Sequence, residues 1–419
     1  MGRYIIYGGK QLFGAVDIHG SKNAALPVLC ACVINSGENI IHNCPKITDV
    51  YNTCEILEKC GCSVKWNGSD VFINSSKAHF ITVDEDMTKS MRSSVMFMGV
   101  FLGKFKKAVV SKPGGCRIGK RPLDIHLDAF EKMGAVVTDN GYCFVCSAEK
   151  LNQAEINLKF PSVGATENIM LAAAFITEKT IIKNAAVEPE IIALGEFLKT
   201  IGVSVDVKSN DKTIEITGTD KFKNSEYTII PDRIEAGTFM AACAVTGGEV
   251  FLKNAERNHM KAVTDVFESI GCKAEFCNGG IYFKAEKGNI LPQNIKTGVY
   301  PQFPTDMQPQ LMSVLTLAQG TSIIFESVFE NRFSHALELN KMGANIETEG
   351  RKAVIKGVKN LYPSELNAFD LRAGAGLIVA ALSCNGMSYV NGSQHICRGY
   401  EAIEKSFSDL GALIRYENR

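Results

Sequence analysis

The sequence predicts an α/β protein built from six copies of one unit of roughly 70 residues, gathered three to a domain. Three observations carry this. The end of a one-sided helix, then a glycine, then a strand recurs along the chain, first as Lys59-Cys60-Gly61-Cys62-Ser63-Val64 and last as Asp409-Leu410-Gly411-Ala412-Leu413-Ile414. These glycines fall at 61, 134, 202, 271, 343 and 411, spaced 73, 68, 69, 72 and 68 apart, and glycine suits the left-handed position that follows a helix. Each copy also holds a helix that is apolar around most of its circumference, clearest at 168–176, 237–245 and 374–382. Short β-branched runs, such as Thr180-Ile181-Ile182-Lys183 and Ser322-Ile323-Ile324-Phe325, lie between the two kinds of helix.

A one-sided helix, such as that at 125–133, can keep a polar face in water. A helix apolar all round needs burial on every side. One unit cannot supply that alone, but several packed together can, with strands and one-sided helices outside. Six units fit one ring or two clusters of three, and domain size favours two clusters divided near Pro231. The predicted domains are residues 22–230 and residues 1–21 with 231–419, the segment 4–19 completing a sheet of the latter.

Charge is balanced, with 45 basic and 45 acidic residues, which argues against nucleic acid or an anionic membrane as a partner and requires any anion site to be a local cluster. Of the 14 cysteines, Cys143 and Cys146 form the one C-x-x-C. They lie in a stretch that reads as a strand, and no second pair stands at zinc spacing, so no metal is expected. Residues 1–10 have no signal-peptide core, Ile6 stands where myristoylation wants Ser or Thr, and no apolar run reaches membrane-spanning length. The expectation is a cytoplasmic protein with reduced thiols, monomeric or weakly homo-oligomeric, with small-molecule partners.

Charged groups collect at the starts of the apolar helices. In order these read Ser21-Lys22-Asn23, Lys89-Ser90-Met91-Arg92, Ser162-Val163-Gly164-Ala165-Thr166, Asp232-Arg233, Thr305-Asp306 and Asp370-Leu371-Arg372. A helix start offers free N–H groups to an anion. Plain N-capping accounts equally well for Ser21, Ser162, Thr305 and Asp370. It does not account for Lys22, Arg92, Arg233 and Arg372, which oppose the helix dipole unless an anion is bound or paired beside them.

Between the second pair of helices runs Lys112-Pro113-Gly114-Gly115-Cys116-Arg117-Ile118-Gly119-Lys120-Arg121-Pro122. Its glycines and prolines exclude a regular element. Cys116 stands among cations, the setting that favours a thiolate, although a solvated basic loop with an incidental thiol stays open on composition alone. Arg332 and Arg398 occupy strand-to-helix loops. The expectation is a cation-rich cleft between the domains, with the Cys116 loop as its lid, for a ligand carrying several negative charges.

With these stretches in view, the chain resembles the UDP-N-acetylglucosamine enolpyruvyl transferase family over essentially its whole length. The matching motifs are residues 20–27, the Cys116 loop, Ser162-Val163-Gly164-Ala165-Thr166, Pro231-Asp232-Arg233-Ile234-Glu235, Phe303-Pro304-Thr305-Asp306-Met307-Gln308, Glu330-Asn331-Arg332-Phe333 and Asp370-Leu371-Arg372. The resemblance implies two inside-out α/β barrels with the site in the interdomain cleft, and no cofactor. It implies transfer of the enolpyruvyl group of phosphoenolpyruvate to the 3′-hydroxyl of UDP-N-acetylglucosamine, the first committed step of peptidoglycan synthesis. By the same resemblance Cys116 is the general acid and Asp306 takes the hydroxyl proton. Lys22, Arg121 and Arg398 fall around the phosphate, Arg332 and Arg372 near the reacting acid, and Asn23 and Asp370 at the reacting centre. Arg92, Arg121, Pro122, Leu123, Asp124, Ser162, Val163, Gly164, Asp306 and Val328 fall at nucleotide-sugar positions.

Phe160-Pro161 departs from members that carry a lysine there, which leaves the uracil contacts open. A cysteine at 116, where some members have aspartate, implies alkylation by fosfomycin. Two alternatives stand beside this reading: 5-enolpyruvylshikimate-3-phosphate synthase, with the same fold and donor, and a catalytically silent paralogue that binds nucleotide sugars. Intact Lys22, Cys116, Asp306 and Arg398 weigh against silence.

Overall fold

The computed structural model describes residues 2–112, 119 and 123–418, with Ser90 and Arg92 as backbone alone. These residues gather into two compact units, one of 20–112 with 123–230 and the other of 2–19, 119 and 231–418. Each has its own apolar core.

The repeat is clearest in the third copy. Strand Glu155–Asn157 leads into the apolar helix Val163–Ala173, strand Lys179–Lys183, the one-sided helix Pro189–Thr200 and the hairpin Ser204–Lys208 with Thr213–Thr217. The first two strands pair in parallel and the hairpin adds antiparallel, so that the last strand lies beside the second. A parallel pair needs a crossover, and the apolar helix supplies it.

Each one-sided helix ends as the glycine spacing predicts. Gly61, Gly134, Gly202, Gly271, Gly343 and Gly411 all have φ between 86° and 103°. At the first, Gly61 N–H donates to Glu58 O at 2.9 Å and Cys62 N–H to Leu57 O at 3.0 Å. At the last, Gly411 and Ala412 donate to Ser408 O and Phe407 O at 2.9 and 3.0 Å. This is a Schellman cap, and the residue after the glycine leaves it already extended for the next strand.

The apolar helices are Lys22–Ala31, Phe97–Phe105, Val163–Ala173, Arg233–Thr246, Gln308–Leu315 and Leu371–Ser383. Every residue of Arg233–Thr246 after the first is buried, and so is every residue of Leu371–Ser383 before the last. Each fully buried Leu, Ile or Phe contributes about 1.5–3 kcal/mol. Within their unit, Gln308–Leu315 and Leu371–Ser383 pack on each other and on Arg233–Thr246. A Cβ on Gly376 would stand 2.8 Å from Pro309 O, so the absence of a side chain there sets how closely two of these helices approach. The second copy departs from expectation: Met91 is buried and extended, ending the short helix Glu85–Ser90, and a 3₁₀ turn Arg92–Met96 precedes the apolar helix. Lys89 and Ser90 are therefore not in its first turn.

Strands remote in sequence complete the outer sheets. Arg3–Gly8 lies between Gly386–Asn391 and Leu413–Glu417, antiparallel to both. Leu12–Asp17 runs parallel to Gly248–Lys253, and Ser225–Thr228 parallel to Glu38–His42. Among the described residues no helix is long and apolar enough to cross a membrane.

The chain passes from one unit to the other at 19/20 and returns at 230/231. His19 is held there by Glu235: its backbone N–H donates to Oε2 at 2.8 Å and its Nδ1 lies 2.9 Å from Oε1. Asp232 N–H donates to His19 O at 2.8 Å, and the Asp232 carboxylate caps the helix by accepting from Ile234 and Glu235 N–H. The hydrogen bond to Glu235 raises His19 from 6.5 to about 9. A histidine raised on folding adds stability that is fully present below its unfolded value and is lost as pH rises through the folded one. His19→Gln should therefore lower stability by about 2 kcal/mol near pH 6, discounted for the partial exposure of the ring. The difference should shrink between pH 6.5 and 9 in urea titrations. A gap that does not change with pH would assign the loss to packing instead.

Candidate functional site

Pro304 is extended and starts a 3₁₀ turn, Thr305–Met307, that leads into Gln308–Leu315. Asp306, in this turn, is shared by two arginines. Its Oδ1 accepts from Arg332 Nη2 at 2.9 Å and its Oδ2 from Arg372 Nε at 3.2 Å. Both arginines are only 3% exposed. Burial opposes the charge on Arg372, but Asp306 leads the opposing groups, which hold the guanidinium charged above its ordinary value. The Arg332 and Arg372 guanidiniums also lie over the rings of Phe329 and Tyr400, at 5.1 and 5.5 Å. Arg332 Nε and Arg372 Nη1 are buried with no hydrogen-bond partner among the described residues. Two cations therefore share one carboxylate and keep donors to spare, an arrangement suited to a further anion.

A second layer holds this one in place. Buried Glu326 accepts from Thr305 Oγ1 at 2.9 Å with one oxygen, and from Val328 and Phe329 N–H at 2.9 and 3.1 Å with the other. Arg332 Nη1 donates to Thr305 Oγ1 at 3.2 Å. The Tyr400 hydroxyl lies 2.8 Å from Thr238 Oγ1, and Gln310 Nε2 reaches both, at 3.1 Å to Thr238 and 3.2 Å to Tyr400. Asp370 caps Leu371–Ser383, accepting from Arg372 and Ala373 N–H at 3.0 and 2.9 Å. Burial pushes the His335 imidazole down to about 4, so it adds no charge beside Arg332 at neutral pH. Arg398 is half-buried in the turn that follows the short helix Ser393–Ile396.

In the other unit Lys22, the first residue of its helix, meets Asp49 at 2.7 Å, and both side chains are nearly buried. Asn23 beside it is half-buried. Ser162 caps Val163–Ala173, accepting from Ala165 N–H at 3.4 Å, and Val163 and Gly164 follow it half-buried. Half-buried Leu123 and exposed Asp124 start the helix Asp124–Lys132.

Two capping expectations fail. Ser21 stands at the N-cap position but its hydroxyl is buried without a partner among the described residues, and it makes no side-chain cap bond. Thr305 is engaged by Glu326 and Arg332, and Pro304 takes the cap position before its turn. Two of the four cations that oppose the dipole are met by carboxylates, Asp49 at Lys22 and Asp306 at Arg372, and the Arg233 guanidinium lies over the Tyr300 ring at 5.8 Å. Sequence reasoning singled out neither Asp49 nor Glu326. Asp49 lies in the first turn of a one-sided helix, where a carboxylate is unremarkable. Cys116, Arg121 and Pro122 lie outside the described residues, as does the side chain of Arg92.

Comparison with known proteins adds independent findings. The family model described as EPSP synthase (3-phosphoshikimate 1-carboxyvinyltransferase) matches residues 6–407. UDP-N-acetylglucosamine 1-carboxyvinyltransferase 2 of Caldanaerobacter subterraneus subsp. tengcongensis is 43% identical over 414 residues, covering 99% of each chain. UDP-N-acetylglucosamine 1-carboxyvinyltransferase 1 of Clostridium perfringens is 42% identical over 419 residues, again with 99% of each covered. Among solved structures, the enolpyruvyl transferase NikO from Streptomyces tendae superposes with a TM-score of 0.89 at 22% identity, over 99% of this chain and 98% of that one. An EPSP synthase from Acinetobacter baumannii gives 0.75 at 16% identity, over 100% of both. At those identities the solved structures speak for the fold, an α/β architecture shared along the whole chain.

Removing Asp306 would strand two buried guanidiniums. Asp306→Ala should cost about 3 kcal/mol of stability in urea unfolding with an unchanged slope, and Asp306→Asn less. A loss below about 0.5 kcal/mol, the range of ordinary surface substitutions, would show that solvent already compensates both arginines.

Proposed function

The chain belongs to the UDP-N-acetylglucosamine 1-carboxyvinyltransferases of the enolpyruvyl transferase family, and from that premise we propose that it moves the enolpyruvyl group of phosphoenolpyruvate to the 3′-hydroxyl of UDP-N-acetylglucosamine and releases phosphate. The observation that carries the reading is Asp306 held between two buried arginines with donors to spare. The donor substrate carries a carboxylate and a phosphate, and buried guanidiniums are suited to such groups. The acceptor must lose a hydroxyl proton, and the Asp306 carboxylate, fixed in position by the two arginines, is a group that can take it.

In this reading Cys116 protonates C3 of phosphoenolpyruvate, which makes C2 electrophilic. The sugar hydroxyl attacks C2 as Asp306 accepts its proton, giving a tetrahedral ketal. Loss of a proton from C3 then restores the double bond and expels phosphate. Lys22, Arg121 and Arg398 neutralise the phosphate, Arg332 and Arg372 hold the acid, and Asn23 and Asp370 orient the reacting centre. Arg92, Pro122, Leu123, Asp124, Ser162, Val163, Gly164 and Val328 hold the nucleotide sugar. The product feeds peptidoglycan synthesis in the cytoplasm.

The matching family model favours a second reading, with shikimate-3-phosphate as acceptor. Phosphate release from phosphoenolpyruvate, measured with each acceptor, decides between them. Release with UDP-N-acetylglucosamine alone is expected. Release with shikimate-3-phosphate alone would keep the fold and overturn the reaction, and release with neither, while the sugar nucleotide still binds, would make the chain a binding protein.

The thiols give another test. Burial raises Cys30, Cys32, Cys54, Cys60, Cys62, Cys146, Cys243, Cys272 and Cys384 above the usual thiol range, which leaves them protonated and unreactive at neutral pH. Cys277 is exposed and Cys143 and Cys397 are half-buried, so the adduct is to be mapped peptide by peptide: fosfomycin should add at Cys116 and abolish activity. Retained activity with no mass shift on that peptide would sink the assignment.

A further inference from the structure

We propose that Asn168, with His126, is the positioning residue of the nucleotide-sugar half of the site; the proposal rests on the function just given. Among the described residues, three short segments supply those assigned to the sugar nucleotide in this unit: the turn Arg92–Met96, the start of the helix Asp124–Lys132, and the start of the helix Val163–Ala173. They are far apart in sequence. Asn168, fully buried in the last of them, bonds to the other two.

Its Nδ2 donates to Val95 O at 3.2 Å, in the Arg92–Met96 turn, and lies 2.9 Å from His126 Nδ1, two residues beyond Asp124. Its Oδ1 accepts from Gly99 N–H at 2.7 Å, in the helix that follows the turn. The orientation of the amide follows from these partners. Gly99 N–H can only donate and so must face the oxygen, which turns the two hydrogens of Nδ2 toward Val95 O and His126 Nδ1. His126 Nδ1 is then the acceptor nitrogen, and the ring proton sits on Nε2. The ring in turn lies against the 162–164 turn: a Cβ on Gly164 would stand 3.3 Å from His126 Cε1. A Cβ on Gly99 would stand 2.2 Å from Asn168 O, so the helices bearing them touch backbone to backbone.

One amide thus sets the relative placement of three ligand-bearing segments. An apolar side chain at 168 would leave Gly99 N–H and Val95 C=O buried without this partner, and the segments would settle elsewhere. Lys22 and the Asp306 cluster make no use of these bonds, so the effect should fall on one substrate.

The test is binding of UDP-N-acetylglucosamine by titration calorimetry without phosphoenolpyruvate, together with the KM of each substrate and a thermal unfolding scan. Asn168→Ala and His126→Leu should each weaken sugar-nucleotide binding about tenfold, a loss of buried hydrogen bonding. The KM for phosphoenolpyruvate should stay within about twofold of the unmodified value, since misplaced sugar contacts act on one substrate's binding. His126→Asn, whose amide oxygen can stand where Nδ1 stood, should recover most of the affinity. If Asn168→Ala does not fold, the contrast between His126→Leu and His126→Asn decides. Folded variants that bind the sugar nucleotide as the unmodified chain does would overturn the proposal, as would an equal rise in both KM values or no recovery in His126→Asn. An unmodified chain that binds no UDP-N-acetylglucosamine would overturn the function and this proposal together.

Discussion

Six helices carry apolar side chains on every face, so water is excluded from their flanks and each must be given neighbours on all sides. No single repeat can do this, which is why the helices of one unit pack on one another and strands from distant parts of the chain complete the sheets outside them. The same constraint decides where chemistry can occur. The residues assigned to the chemistry gather at the helix ends: Lys22, Ser162, Asp306 and Arg372 all stand at or just before a helix start, while polar groups on the flanks, such as Asn168, Thr238 and Gln310, are spent on internal hydrogen bonds.

Placing a cation at a helix start is electrostatically unfavourable, and burying it adds desolvation. The fold answers with carboxylates brought from elsewhere. Asp49 comes from the next helix to Lys22, and Asp306 serves Arg372 and Arg332, residues 66 and 26 positions away. At Asp306 two guanidiniums share one carboxylate, and two of their N–H donors stay unpartnered among the described residues. A site balanced in this way is most favourable when an anionic ligand completes it.

Much of the architecture was legible because it is periodic. The six glycines mark helix ends whose positive φ few other residues tolerate, and the apolar helices declare themselves by composition. The charged helix starts were legible too, since Lys22 and Arg372 break a rule that sequence alone can check. What was not legible was partnership. Ser21 and Thr305 look alike as caps, yet the Ser21 hydroxyl caps nothing and Thr305 is claimed by Glu326 and Arg332. Glu326 reads as an ordinary residue after a strand, although it pins both Thr305 and the Val328 turn.

By itself the sequence determined the repeat, the two kinds of helix, the family, and the residue types gathered at helix starts, because each is a local property of side-chain chemistry and spacing. Only the tertiary structure decided that Asp306 lies between two arginines, that Asp49 answers Lys22, and that Asn168 joins three segments. Those contacts join residues tens of positions apart, and their distances depend on how buried helices settle against one another, which no local pattern encodes.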